Sequence, residues 1–564
     1  MIDTSISALR KLRPEHDSAI FWFRDDLHQP VAISPMGMTT IQKHHAWGYH
    51  VAAEQTSLPP SKGAYVKIFK GRVYLGFALI DDQAEIADRA EKFNELLDYC
   101  KTHWDDFYRG YIAEVCAGLD TLAAVDTDRL SMRHLAEHLR RADDINRRNW
   151  EIHFILMYPA DALYLGFEAF CKEHGLDEAG MIALLKGFHG MPAKTDEALW
   201  ELAKAARAAG LDKVLLDAPA KEARAALEAS AAGRDWLVHF DAFLAAYGNR
   251  ISAAHLDVIF PTWREDPVPV FETVRSYFRR IDEGWDLAAQ RQQVNREREA
   301  AIAAFEKTLA PADLAAFRDL LPVAQKVYAY QEDHGFYIDQ GSTAALHYAL
   351  MGCGRRLARC GLLWQPEDVF FLTFAELSEI LDDLARNEKI GIYHHAPQVG
   401  PLVAERKEMW GTVPQLEAPL TVGAVPETMT DPIAIKVFGI IDEVLHPKGE
   451  KEVSKKLEGF AASPGVVEGR ARVVLRFEDF PNVQAGEILV CPYTGTAWTP
   501  LFLKVAGVVT DTGGMLTHAA IAAREYGIPA VVGTWNATAS IQDGDLIRMD
   551  GAAGTVEILA SACA

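Results

Sequence analysis

Two changes of residue pattern constrain the fold of this chain more than any single motif does. From about Gln83 to Leu320, apolar residues recur at three-to-four spacing, in runs such as "AEIADRAEKFNELLDYCKTHW" and "DRLSMRHLAEHLRRADDINRRNWEIHFILMY". That spacing predicts amphipathic helices. A second helical block is predicted over about 311–383. After Lys456 the text becomes short β-rich runs between glycines and turns: "GVVEGRARVVL", "GEILVCPY", "AGVVTD", "PAVVGT". Only "THAAIAAREYG" reads as a helix there. Such a set makes a complete small α/β domain.

Two further stretches complete the organisation. "AYVKIFKGRVYLGFALI" reads as a hairpin turning at Lys70-Gly71. The prolines of the preceding "DDLHQPVAISPMGMTT" predict extended or looped chain. Prolines at 397, 401, 414, 419, 426, 432 and 447 predict a linker or extended arm. A chain of 564 residues is too long for one ordinary core. The expected architecture is multidomain α+β: a mainly helical domain over 1–395 with a β-containing part at 1–90, a linker at 396–455, and an α/β domain at 456–564.

The net charge of −22 argues against nucleic acid as a partner, because phosphate backbones are bound by basic surface. No membrane partner is expected either, since no apolar run approaches the ~20 residues that span a bilayer. The first residues lack the pattern of a secretory leader. The seven cysteines are scattered without metal-type spacing, which predicts reduced thiols in the cytoplasm and no metal site.

The densest motif is "VVTDTGGMLTHAAIAAREYGIPAVVGT", Val508 to Thr534. A strand ends near Val509, and Gly513 and Gly514 allow an unusual turn. A helix then starts near Thr517 and stops at Gly527. His518 falls in its first turn, where amide N–H groups lack partners and the macrodipole is positive. Thr510, Thr512 and Thr517 add hydroxyls near this anion-binding environment. A general base gains little from positive potential, and a metal ligand wants partners at close spacing. A phosphoryl carrier fits the place better, although a helix-terminal histidine with a purely structural role fits the same pattern.

The motif resembles the phosphohistidine segment of the swivelling domain in phosphoenolpyruvate-utilising enzymes, which include pyruvate phosphate dikinase, phosphoenolpyruvate synthase and rifampicin phosphotransferase. The matching positions are Thr510, Gly513, Gly514, Thr517, His518, Ala519, Ala520, Ala523, Arg524, Gly527, Ile528, Pro529, Ala530 and Val531. Thr517 stands where serine is usual. The resemblance implies that His518 carries the phosphoryl group and that Thr510, Thr512, Gly513, Gly514, Thr517 and Arg524 lie around it, with Arg524 on the phosphate or supporting the domain.

The pieces "PVAISPMGMT", "FLAAYGNR", "PTWREDP" and "CGLLWQPEDVFFLTFAEL" resemble the substrate-binding domain of rifampicin phosphotransferases. One departure is "QEDHGFYIDQ", Gln331 to Gln340, where those enzymes tend to have Arg-Glu-x-x-Lys. In this the chain looks more like the catalytic subunit of phenylphosphate synthase. That resemblance implies a phenol-like acceptor; Glu332, Asp333 and His334 are three possible bases for it, of which His334, oriented by Asp333 or Glu332, is favoured over plain helix-surface charge. Phe336 and Tyr337 would be aromatic walls, and Arg355 and Arg356, with Arg359, would hold the phosphoryl group in transit. A solvated helix face fits the last three equally. No ATP-grasp domain or phosphate loop is found in these residues. A separate ATP-grasp protein is therefore the expected source of the phosphoryl group, with ATP and Mg2+ at that partner's site.

Overall fold

The computed structural model describes residues 17–188, 190–251, 256–387, 396–416, 418–446, 456–475, 477–495 and 498–562. The chain folds as two compact units. One comprises 1–162, 254–260 and 334–426; the other comprises 163–253, 261–333 and 427–564. The architecture is α+β, with long helices and two separate sheets.

In the first unit, strands Ser61–Phe69 and Arg72–Leu79 form the expected hairpin. Lys70 and Gly71 both take positive φ, 50° and 71°, the two-residue turn whose twist matches its strands. Phe21–Arg24 pairs antiparallel with the second of these strands on one side and with Thr421–Gly423 on the other. That last strand lies inside the expected linker, and so does helix Ala396–Thr412. Thr421 to Gly423 hydrogen-bond as a sheet edge, so this part of the segment is built into the unit and is not a free arm. His394, His395 and 447–455 lie outside the described residues. "SPMGMT" also differs from expectation: Ser34 caps a helical turn over Pro35–Thr39 by accepting from Gly37 N, with proline at the first helical position where its missing N–H costs nothing.

Helix Ile41–Gln55 packs on helix Met132–Glu173, and glycine sets the approach. A Cβ on Gly48 would lie 2.4 Å from the Trp150 carbonyl oxygen. Further along, Asn146 and Asn149 both donate to Ser342 Oγ, at 2.8 and 3.1 Å, tying this helix to Gly341–Arg359. Met132–Glu173 is long and apolar enough to cross a membrane by length and composition, contrary to expectation. Yet 61% of its apolar window is buried inside the protein, so its composition is that of a core helix.

The second unit has a helical part and a sheet part. The helical core gathers Trp200, Trp236, Phe240, Phe271, Tyr277 and Phe278. The eight-stranded sheet runs in the order Lys456–Glu458, Thr555–Ala560, Leu546–Asp550, Val466–Val473, Ile488–Cys491, Gly507–Thr510, Ala530–Val532, Phe460–Ser463. Its central pairs, from Val466–Val473 to Ala530–Val532, are parallel. The inner three, Ile488–Cys491, Gly507–Thr510 and Ala530–Val532, are short, fully buried and mostly apolar runs, as strands covered on both faces require, whereas Val466–Val473 alternates apolar with charged residues. Helix His518–Tyr526 is the crossover between the parallel strands Gly507–Thr510 and Ala530–Val532. Its N-terminus therefore sits at the carboxyl ends of the strands, where α/β sheets bind ligands.

Because no side-chain movement can relieve a contact with the Trp150 carbonyl, Gly48→Ala is expected to lower unfolding free energy by about 2–4 kcal/mol, read by chemical denaturation.

Candidate functional site

The loop before His518 is shaped by backbone packing. Gly513 has φ 100°, and a Cβ on Gly514 would lie 2.2 Å from the Lys436 carbonyl oxygen. Only glycine fits both demands. Thr517 is the N-cap, but its hydroxyl donates back to Gly514 O at 2.8 Å and does not cap the first turn. Thr510 donates to Thr512 O at 2.8 Å and Thr512 to Pro492 O at 3.0 Å. The three expected phosphate-binding hydroxyls thus spend their hydrogens bracing the loop.

Arg524 is buried and turns inward. Its Nε donates to Ala462 O at 2.7 Å and an Nη to Met515 O at 2.9 Å. It clamps strand Phe460–Ser463 to the His518 loop, the supporting one of its two expected roles.

His518 is the first helical residue and is half-buried. Thr494 Oγ1 lies 3.2 Å from its Nδ1, and the Phe502 ring meets it edge-on at 5.9 Å. The hydroxyl and the ring nitrogen share one proton, in a direction set by the imidazole tautomer. The two contacts fix the ring plane. Thr494, in "CPYTGT" after strand Ile488–Cys491, was not singled out in the sequence. Its signal is its place at the carboxyl end of a neighbouring parallel strand.

His518 lines a cavity of about 180 Å³ within the second unit. Its other walls include Asp196, Arg291, Tyr328, Glu332 and Glu525. Tyr526 donates to Asp196 Oδ2, and Glu525 accepts from Gly187 N at 3.1 Å. Burial pushes the carboxyl of Glu332 up to about 8, against the pull of Arg250, with Asp333 and Glu525 adding to the rise. Burial likewise pushes Asp196 up to about 6, opposed by the Tyr526 hydroxyl and by Arg250 and Arg291. At neutral pH, Glu332 is thus a proton-bearing carboxyl, able to donate a hydrogen bond into the cavity.

The remaining expected residues separate. Asp333 belongs to the same unit as Glu332, but its Oδ1 accepts from Met191 N at 2.5 Å. It acts as an external cap for helix Met191–Ala208, whose own N-cap, Gly190, has no side chain to offer. It is not the partner of His334. Arg355 binds Thr127 and Asp128, and Arg356 binds Leu130 O at 2.6 Å. With Arg359 on Asp128, all three arginines hold the turn at 127–130. None of these bonds involves His518 or His334.

His334 closes helix Pro311–His334, and a π-helix follows over Gly335–Gln340. In the first unit its Nε2 lies 3.5 Å from Asp339 Oδ2, and His153 Nδ1 lies 3.0 Å from Asp339 Oδ1. The two imidazoles meet edge-to-face at 4.8 Å. The wider turn explains the pairing. Residues five apart on an α-helix point about 140° away from each other, whereas the i→i+5 repeat of a π-helix carries them to one side. Around this centre Trp150 lies 5.0 Å and Phe154 4.5 Å from the His153 ring, and Tyr49 stacks on Phe154 at 3.8 Å. His45 packs against Tyr49, Trp150 and Phe154, and burial drives its pKa down to about 3, so it is neutral. His28 Nδ1 sits 3.0 Å from Asp25; burial opposes its charge, but Asp25 and Asp339 outweigh that and raise its pKa. Phe336 and Tyr337 are half-buried on the π segment, edge-to-face on each other at 5.1 Å.

Two measurements check this account. Arg524→Met strands the Ala462 and Met515 carbonyls and is expected to cost about 2–4 kcal/mol of stability in denaturant unfolding; a residue serving phosphate alone would leave stability unchanged. Asp196 has a folded pKa above its unfolded value, so its stabilising contribution is complete below about pH 3.9 and is lost as pH rises through about 6. Asp196→Asn keeps an acceptor for Tyr526 but has no proton to lose. Relative to wild type, the variant is expected to gain about 1–2 kcal/mol between pH 4 and pH 7, read as a difference of unfolding curves.

Comparison with known proteins agrees with the motif. Residues 483–554 match the family described as "PEP-utilising enzyme, mobile domain", and residues 152–332 match "Rifampicin phosphotransferase fourth domain". The chain is 32% identical over 457 residues to chondramide synthase cmdD of Chondromyces crocatus, covering 79% of this chain and 11% of that one. It is 28% identical over 415 residues to the uncharacterized phosphotransferase YvkC of Bacillus subtilis, covering 73% and 47%. It is 34% identical over 328 residues to rifampicin phosphotransferase of Streptomyces sviceus, covering 57% and 34%. The chain spans less than half the length of each of these relatives. It carries the mobile domain of the phosphoenolpyruvate-utilising enzymes and is related to the rifampicin phosphotransferases.

Proposed function

We propose that this chain is a phosphotransferase component in which His518 receives a phosphoryl group and passes it to the hydroxyl of a small aromatic acceptor. The family match at 483–554 and the place of His518 at a helix N-terminus beside the strand ends support the carrier role. Thr494 holds Nδ1, so the phosphoryl group is expected on Nε2. The cavity beside His518 holds Arg291 and the proton-bearing Glu332. Both are donors to phosphoryl oxygens, and a confined cavity shields a hydrolysis-prone phosphohistidine from water.

The observation that carries the acceptor half is the His153–His334–Asp339 centre with its aromatic walls. It lies on the segment where this chain departs from the antibiotic-type pattern. His334 keeps its expected role as the group that takes the acceptor's proton, but Asp339 replaces Asp333 and Glu332 as its orienting partner. The expected source of the phosphoryl group is an ATP-grasp protein that converts ATP to AMP and phosphate, with Mg2+ in its own site. The second reading, an acceptor as large as a rifamycin, is favoured by the match over 152–332 alone.

Incubation of the chain with phenol and 32P-labelled phenyl phosphate tests the proposal without the partner. Label is expected to move between the two through His518, and His518→Asn is expected to abolish both the exchange and the labelled protein. A chain that takes label on His518 but exchanges none of it with any small phenol overturns the acceptor reading.

A further inference from the structure

We propose that His153, His334 and Asp339 bind a divalent first-row transition metal, of which zinc fits best, with an open position for the acceptor oxygen. One donor atom from each of the three residues can be chosen so that all lie within 4.8 Å of one another. The two measured gaps, His153 Nδ1 to Asp339 Oδ1 and His334 Nε2 to Asp339 Oδ2, are 3.0 and 3.5 Å. Donors on a tetrahedral zinc with bonds near 2.1 Å stand about 3.4 Å apart. Each imidazole therefore stands about one such edge from the carboxylate, at the spacing of ligands on a shared ion.

Three features favour a cation here over a bare hydrogen-bonded triad. The Asp339 carboxylate is 7% exposed and His153 is 6% exposed, so these donors stand where little water competes for a bound ion. The carboxylate faces both imidazoles, so one of its oxygens and one nitrogen of each ring can converge on a single ion. The ligands also come from a π-helical turn facing a rigid helix, with Asn146 and Asn149 locking that helix on Ser342. Two imidazoles and one carboxylate are the donor set of borderline transition ions and not of Mg2+, which prefers oxygen. Three protein ligands leave the fourth position open, the pattern of catalytic sites.

For its chemistry the inference rests on the proposed function. The acceptor hydroxyl would coordinate at the open position, and its O–H bond would break with the proton passing to solvent. The oxygen lone pair would then form the P–O bond, while the P–N bond to His518 breaks and its electrons return to the imidazole. In this form His334 is a ligand, and the metal replaces its direct capture of the proton.

The test is metal content and coordination of the full chain, stripped with chelator and reloaded with Zn2+ or Co2+. About one equivalent per chain is expected, and the Co2+ form should show the intense visible bands of a four-coordinate ion. His153→Gln, His334→Gln and Asp339→Asn, each checked as folded by circular dichroism, should each weaken Co2+ binding by about 100-fold or more. A wild-type chain that takes up no stoichiometric metal, or folded variants that bind as wild type does, overturns the site. Label exchange with phenol by metal-free protein removes the metal and keeps the proposed function. Bound metal without exchange keeps the site and removes that function.

Discussion

Much of the second unit depends on one close approach of backbone to backbone. Gly514 lies so near the Lys436 carbonyl that any side chain would overlap it, and Leu516 N donates to that same oxygen at 3.2 Å. The chain at 436–439 thereby presses on the turn that leads into the His518 helix. Trp535 adds a hydrogen bond from its indole to Gly439 O, so the turn is gripped from both sides of the motif. A histidine at the first position of a helix is usually free to choose rotamers. Here the turn, the Thr494 hydroxyl and the Phe502 ring all bear on its placement, the kind of preorganisation that the proposed carrier role would call on.

A second constraint governs the first unit: charge must be matched where water is absent. Four histidines and two aspartates, His28, His45, His153, His334, Asp25 and Asp339, gather among Tyr49, Trp150 and Phe154. The set divides its labour by environment. His45 is wrapped by rings and stays neutral, whereas His28 is held toward its charged form by Asp25. Asp339 serves two imidazoles at once. A π-helix is a costly local geometry, and here it has a definite product, since an α-helical Asp339 would point away from His334.

What was legible in the sequence was whatever lies close together along it. The helical blocks, the hairpin at Lys70-Gly71 and the His518 turn all follow from local spacing, and the structure has each of them. What was not legible depends on contacts between distant segments. The Pro-rich stretch reads as a linker, yet Thr421–Gly423 finds a strand partner in Phe21–Phe23, hundreds of positions earlier. Asp333 and Glu332 are the natural partners of His334 in one dimension. The π turn instead selects Asp339, and His153 arrives from another helix. Arg524 and the three threonines stand in a phosphate-binding motif, but their hydrogen bonds go to carbonyls that no local pattern reveals.

The similarity to rifampicin phosphotransferases and the character of the His153–His334–Asp339 cluster pull in different directions, and they concern different residues. The match over 152–332 covers helices whose cores are large aromatic residues, which constrain packing and say little about what is bound. The departure falls on Gln331 to Gln340, where the titratable side chains stand. An Arg-Glu-x-x-Lys segment offers fixed positive charge, suited to holding an anion against an alcohol that is hard to ionise. Here the segment instead places His334 and Asp339 opposite a second histidine, His153, a set able to accept a proton or, as inferred above, to hold a metal that lowers the barrier to losing one. Such groups act best on a hydroxyl that ionises readily, which an aromatic ring provides and an aliphatic carbon does not. The acceptor proposed above therefore rests on the chemistry of those ten residues more than on the ancestry of the helices around them.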